Sequence, residues 1–157
     1  MGRLVVVGIS DQQTANPPDT LITYALGSCV GICLHDCQLQ IGGLSHILLP
    51  ESNGGCSGKD IFKYADTAIE ALIRRMEQQG CRRHRLTAKI AGGATMFAAS
   101  GFNIGDRNVE RVRHELERLR IRLLAADTGH NYGRTVGFDP RDGSMAVRSV
   151  GRGERVI

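Results

Sequence analysis

Short apolar runs separated by polar, glycine-rich stretches set the pattern of this chain. RLVVVGI (3–9) reads as a first strand, because branched apolar residues in a run of this length favour pleated backbone. DQQTANPPD (11–19) reads as a loop, since Pro17 and Pro18 remove two backbone donors. LITYAL (21–26) is a second extended segment, and it leads into a Gly27-Ser28-Cys29 corner. VGICL (30–34) and IGGLSHILLP (41–50) follow as two strands, with HDCQLQ as their turn and Pro50 ending the second.

The period then changes. After the polar loop ESNGGCSGKD (51–60), Ile69, Leu72, Ile73 and Met76 recur at helical spacing until Gly80 supplies a C-terminal stop. LTAKIAGGATMF (86–97) is a strand running into a glycine turn. NIGDRNVERVRHELERLR (103–120) is a second amphipathic helix, with Asp106 or Asn108 as its cap and Val109, Val112, Leu116 and Leu119 on one stripe. IRLLAAD (121–127) returns as a strand, TGHNYGR is a loop, and RTVGFDPRDGSMAVRSV (134–150) is a hairpin about a Pro-Arg-Asp-Gly turn. The tail GRGERVI (151–157) is expected to be partly ordered at best. Strands come in runs instead of alternating with helices, so the expected class is α+β, with two helices covering a sheet or a pair of sheets.

Composition narrows the picture. With 157 residues, 41% hydrophobic and 23% charged, residues 1–157 are expected to form one domain. The apolar run before Asp11 is too short for a signal peptide, and nowhere do eighteen apolar residues run together, so a cytoplasmic protein with no membrane insertion is expected. Five cysteines, an odd number, fit a reducing compartment. The net charge of +4 resides largely in arginines at 74, 75, 82, 83 and 85 and between 107 and 122, which read as solvated helix faces. No aromatic-basic interleaving is present, so nucleic acid is not an expected partner.

The chemistry centres on Cys29. A thiolate is a good nucleophile and a thiol is not, and free cysteine titrates near ~8.5, so a reactive cysteine needs a neighbouring base or a positive field. Gly27 and Ser28 allow a sharp turn that exposes the next side chain and gathers backbone N–H groups, as an oxyanion pocket requires. His46, in LSHILLP, reaches the sulfur if its strand pairs beside the Cys29 segment. On spacing alone, two packed core residues are the more ordinary account of Cys29 and His46, and spacing does not settle the matter.

The blocks LITYALGSCVGICLHD, IGGLSHILLP, KYADTAIEAL, KIAGGATMF, NIGDRNV and DTGHNYGRTV, in this order, resemble the CheD family of chemoreceptor glutamine deamidases, over about residues 4 to 152. The resemblance implies a three-layer α/β/β sandwich with two amphipathic helices, similar to deamidating-toxin cysteine hydrolases. It also implies that Cys29 is the nucleophile, His46 the base and Thr23 the residue orienting the imidazole. The implied reaction converts receptor glutamine side chains to glutamate and ammonia through a cysteine thioester, with methyl esters of glutamate as further substrates in some members. No cofactor and no metal is called for. The implied partners are methyl-accepting chemoreceptors and a CheC-type phosphatase, and the alternative role is an adaptor that mainly binds these two.

Two departures from the family pattern stand out. His130 occupies a position where a second glycine is expected, either as a surface substitution or as a second imidazole bordering the site. Cys33, Cys37, Cys56 and Cys81 are thiols that the mechanism does not require. The four-residue spacing of Cys29, Cys33 and Cys37 around His35 raises a metal reading, but structural zinc sites more usually use Cys-x-x-Cys. Met96, Phe97, Phe102 and the loop 51–60 are the expected walls of a docking surface.

Overall fold

The computed structural model describes residues 2–96 and 103–157. Ten strands form two five-stranded sheets. One sheet has the order β1-β3-β8-β9-β10, built from Leu4–Val6, Thr20–Leu26, Arg134–Asp139, Ser144–Ser149 and Gly153–Val156. The other has the order β2-β5-β4-β6-β7, built from Asp11–Ala15, Ile41–Ile47, Val30–Asp36, Thr87–Gly92 and Arg122–Thr128. Helices α1 (Ala65–Gln78) and α2 (Ile104–Arg118) cover this second sheet on one face, and the first sheet covers its other face. The second sheet is therefore the central layer of an α+β sandwich.

Alternation along the central strands separates two cores. Val30, Ile32 and Leu34 of β4, Ile47 of β5 and Ile90 of β6 point at the helices, where they meet Ile69, Leu72, Ile73 and Met76 of α1 and Val112 and Leu116 of α2. Cys33 of β4, Leu44 of β5 and Ala91 of β6 point at the other sheet, where they meet Leu21, Val136, Phe138, Met145 and Val147. The pair Gly42-Gly43 on β5 serves both layers. A Cβ on Gly42 would stand 2.7 Å from the Phe138 ring, and one on Gly43 2.8 Å from Leu72, so bare backbone lets each neighbour seat closely.

Several elements differ from the sequence reading. DQQTA, expected in a loop, is edge strand β2, paired antiparallel with β5. Its inward residue is Gln12, 1% exposed, whose amide donates to Ser45 Oγ at 3.3 Å and to the Ala68 carbonyl at 3.1 Å. A strand that buries a satisfied amide carries no apolar alternation to announce it. The tail is ordered: β10 pairs with β9, and Ile157 exchanges backbone hydrogen bonds with Met145. The cap of α2 is Asn103, whose side chain accepts from the Asp106 N–H, and not Asp106 or Asn108. Two arginines of α2, Arg111 and Arg118, flank the buried carboxylate of Glu115 at 3.2 and 2.8 Å.

Candidate active site

Cys29 stands where the chain changes sheets. It leaves the first sheet at Leu26, the end of β3, and enters the central sheet at Val30, the start of β4. The turn begins early: β3 shifts register between Thr23 and Leu26, and Ala25 there adopts φ +60°, the left-handed region that L residues enter at a cost. The Gly27-Ser28-Cys29 corner is then fastened from β6, whose continuation donates the Gly93 N–H to the Cys29 carbonyl at 2.8 Å and the Ala94 N–H to the Gly27 carbonyl at 2.9 Å.

Thr23 and His46 are brought together across the two sheets. Thr23 is on β3 and His46 on β5, both are fully buried, and Thr23 Oγ1 lies 2.7 Å from His46 Nδ1. The same hydroxyl donates to the Val7 carbonyl at 2.7 Å. A hydroxyl has one proton, so toward the imidazole it offers only a lone pair, and Nδ1 must carry the hydrogen. The Nε2 lone pair is therefore bare, and Nε2 is buried without a hydrogen-bond partner among the described residues. This is the tautomer a general base needs.

Cys29 faces the same inter-sheet layer. In the register of β4 against β5, Gly31 is opposite His46, so Cys29, two residues earlier, lies on the diagonal, where backbones are roughly 7–8 Å apart and long side chains can meet. A Cβ on Gly31 would meet Leu26 at 3.3 Å and Thr23 at 3.7 Å, so bare backbone opposite His46 leaves room for both side chains. Cys29 is 7% exposed, and Met96, half exposed, lies over Gly27 beside it.

The electrostatics describe a neutral resting pair. Burial pushes the Cys29 thiol above its usual range, opposed by its own backbone N–H. Burial holds the His46 imidazole down at about 4. The sulfur keeps its proton and the imidazole stays unprotonated at neutral pH.

The remaining sequence candidates take other places. His130, at φ +61°, is exposed and stacks on Tyr132 with ring centroids 5.3 Å apart, while its carbonyl accepts from the Thr95 N–H at 2.8 Å. Cys33 and Cys81 are buried in the two cores, Cys37 is exposed and Cys56 half-buried. An extended β4 sets Cys29 and Cys33 about 13 Å apart, too far to share an ion. Met96 belongs to the expected docking wall; Phe97 and Phe102 lie outside the described residues.

Asn108, read from sequence as a possible helix cap, is instead a fully buried residue within α2. Its Nδ2 donates to the carbonyls of Ser28 at 2.9 Å and Leu48 at 3.0 Å. A polar residue one position before the apolar stripe of Val109 and Val112 was the available signal.

A cysteine at a sheet-to-sheet corner, in one layer with an imidazole whose tautomer is fixed, is the arrangement of a thiol-dependent hydrolase class. Comparison with known proteins makes the family plain. The family model described as CheD chemotactic sensory transduction matches residues 48–149. The "Probable chemoreceptor glutamine deamidase CheD" of Syntrophomonas wolfei is 47% identical over 100% of both chains. The protein of the same printed name from Moorella thermoacetica is 48% identical over 98% of this chain and 95% of its own. The "Chemoreceptor glutamine deamidase CheD" of Thermotoga maritima is 44% identical over 96% of this chain and 95% of its own. The chain belongs to the CheD family.

Proposed function

We propose that this chain is a chemoreceptor glutamine deamidase in which Cys29 is the nucleophile, His46 the general base and acid, and Thr23 the residue that orients the imidazole. The observation carrying this reading is the Thr23 hydroxyl, committed to Val7 and thereby leaving His46 Nε2 bare in the layer that Cys29 faces. Membership in the CheD family supports it.

The steps follow from these atoms. As Cys29 Sγ attacks the side-chain carbonyl of a glutamine, its proton passes to His46 Nε2, a sulfur–carbon bond forms and the carbonyl oxygen becomes an oxyanion. Collapse breaks the carbon–nitrogen bond, and the imidazolium returns the proton to the departing ammonia, leaving a thioester. Water then gives a proton to Nε2 as its oxygen attacks the thioester, and the thiol leaves with that proton. The sum is amide plus water to carboxylic acid plus ammonia, and a methyl ester follows the same route with methanol as leaving group. The Thr23–Nδ1 contact holds the ring throughout and steadies the transient imidazolium.

The wider reading places the chain in the cytoplasm as a single domain, with a fold like that of deamidating-toxin cysteine hydrolases. Its protein partners are chemoreceptors as substrate and a CheC-type phosphatase at the same surface. No helix among the described residues is long and apolar enough to cross a membrane. The test is incubation of the protein and its Cys29→Ala variant with a receptor cytoplasmic fragment, following glutamine-to-glutamate conversion by mass spectrometry. Conversion should fall by at least about 10³-fold in the variant. Conversion by the variant at the wild-type rate removes Cys29 from the mechanism, and an inert wild type that still binds the receptor leaves an adaptor.

A further inference from the structure

Among the described residues the Cys29 backbone N–H takes no part in the backbone hydrogen bonds of the fold. Among the described residues no carbonyl or side chain outside Cys29 accepts from it, although its own carbonyl accepts from Gly93. The N–H acts on its own sulfur, where it opposes the upward shift that burial imposes on the thiol. A free N–H of the nucleophilic residue can donate to the oxyanion of a tetrahedral intermediate when its peptide plane is turned to it. That orientation has to be fixed from the other end of the peptide group.

Asn108 reaches that end. A trans peptide holds its carbonyl and its N–H in one plane, pointing in opposite directions. The Ser28–Cys29 peptide is trans, the cis bond among the described residues being Pro17-Pro18. The Asn108 amide donates one hydrogen to the Ser28 carbonyl at 2.9 Å and the other to Leu48 at 3.0 Å. Leu48 follows His46 by two residues, so one side chain joins the nucleophile's corner to the strand that carries the base. It does so from the far layer, α2, where burial excludes competing water. The amide's acceptor, Oδ1, is buried with no partner among the described residues, so the cost of burying it is not recovered in packing.

From these contacts we infer that Asn108 is a positioning residue for catalysis, which fixes the Ser28–Cys29 peptide plane so that the Cys29 N–H meets the developing oxyanion. This rests on the deamidase reading above and extends it to the origin of oxyanion stabilisation. Asn108 touches no reacting atom and acts through the peptide it grips.

The experiment compares wild type, Asn108→Ala and Asn108→Asp in two assays. The first is receptor-fragment deamidation, which passes through an oxyanion. The second is alkylation of Cys29 by iodoacetamide, a displacement at saturated carbon that forms none. Loss of the amide donors should lower kcat by about 10- to 100-fold with KM within about threefold, while the Cys29 alkylation rate stays within about twofold. Asn108→Asp keeps the side chain's shape without its two donors, and carries the test if the alanine variant fails to fold. Unchanged kcat in a folded variant overturns the inference. So does a parallel fall of kcat and alkylation, or failure of both variants to fold, because each assigns Asn108 a structural role only. An inert wild type overturns the deamidase reading and this inference together, whereas an active wild type with an equally active variant overturns the inference alone.

Discussion

The two faces of the central sheet are made by the same strands and differ in what they bury beside their aliphatic side chains. Toward the helices, β4, β5 and β6 present Val30, Ile32, Leu34, Ile47, Ala88 and Ile90 to a layer of aliphatic side chains. Toward the other sheet, the alternate positions present Cys29, Gly31, His46 and Ala91, and Thr23, Asp127 and Arg134 join them there. Arg134 Nε pairs with Asp127 at 3.0 Å in this layer, while its terminal nitrogens are buried without hydrogen-bond partners among the described residues. The helix layer buries amides, those of Gln12 and Asn108, that donate to the Ala68 and Ser28 carbonyls, whereas the inter-sheet layer leaves His46 Nε2 and the Arg134 terminal nitrogens without hydrogen-bond partners among the described residues.

This contrast can be broken by exchanging effects between the layers. Leu72→Ala, in the helix layer and in contact with Gly43, should destabilise the protein by about 2–5 kcal/mol. Urea unfolding measures this, and kcat of the folded fraction should be unchanged; a large fall in kcat would show that the layers are not separable.

A charge-dependent effect comes next. The buried His46 titrates at about 4, below the ordinary 6.5. Between these values the unfolded chain binds more protons than the folded one. The contribution is therefore complete above pH 6.5 and is lost as pH falls toward 4, in total roughly 3 kcal/mol. Urea unfolding of wild type and His46→Gln across that window should show wild type losing more stability. Parallel pH dependences would mean that the imidazole is not held neutral by burial.

The smallest effect is Thr23→Val, nearly isosteric, which removes the oxygen that fixes the His46 tautomer. Deamidation should slow by about 10- to 100-fold while Cys29 stays in place. An unchanged rate would leave the inter-sheet hydrogen bond a structural contact only.

Much of this was legible in the chain. The 3.6 period of Ile69, Leu72, Ile73 and Met76 marks α1, and the Pro140 to Gly143 turn marks the hairpin of β8 and β9. Cys29, His46 and Thr23 were reached through motif resemblance and not through spacing, because nothing local relates a residue on β3 to one on β5. Strand β2 and the role of Asn108 were hidden for a shared reason. Both bury polar side chains whose partners are distant in sequence, Ala68 for Gln12 and Ser28 for Asn108, and a burial pattern signals only apolar groups.

By itself the sequence determined the two helices and most of the strands, since periodicity and turn residues act over a few positions, and it determined the residue types able to do thiol chemistry. Only the tertiary structure decided that β3 and β5 lie in different sheets facing one another, and that the chain crosses between those sheets at Cys29. The physical reason is that a tautomer is set by its hydrogen-bond partners in space. A proton on Nδ1 follows from Thr23 being engaged with Val7, and no one-dimensional pattern contains that contact.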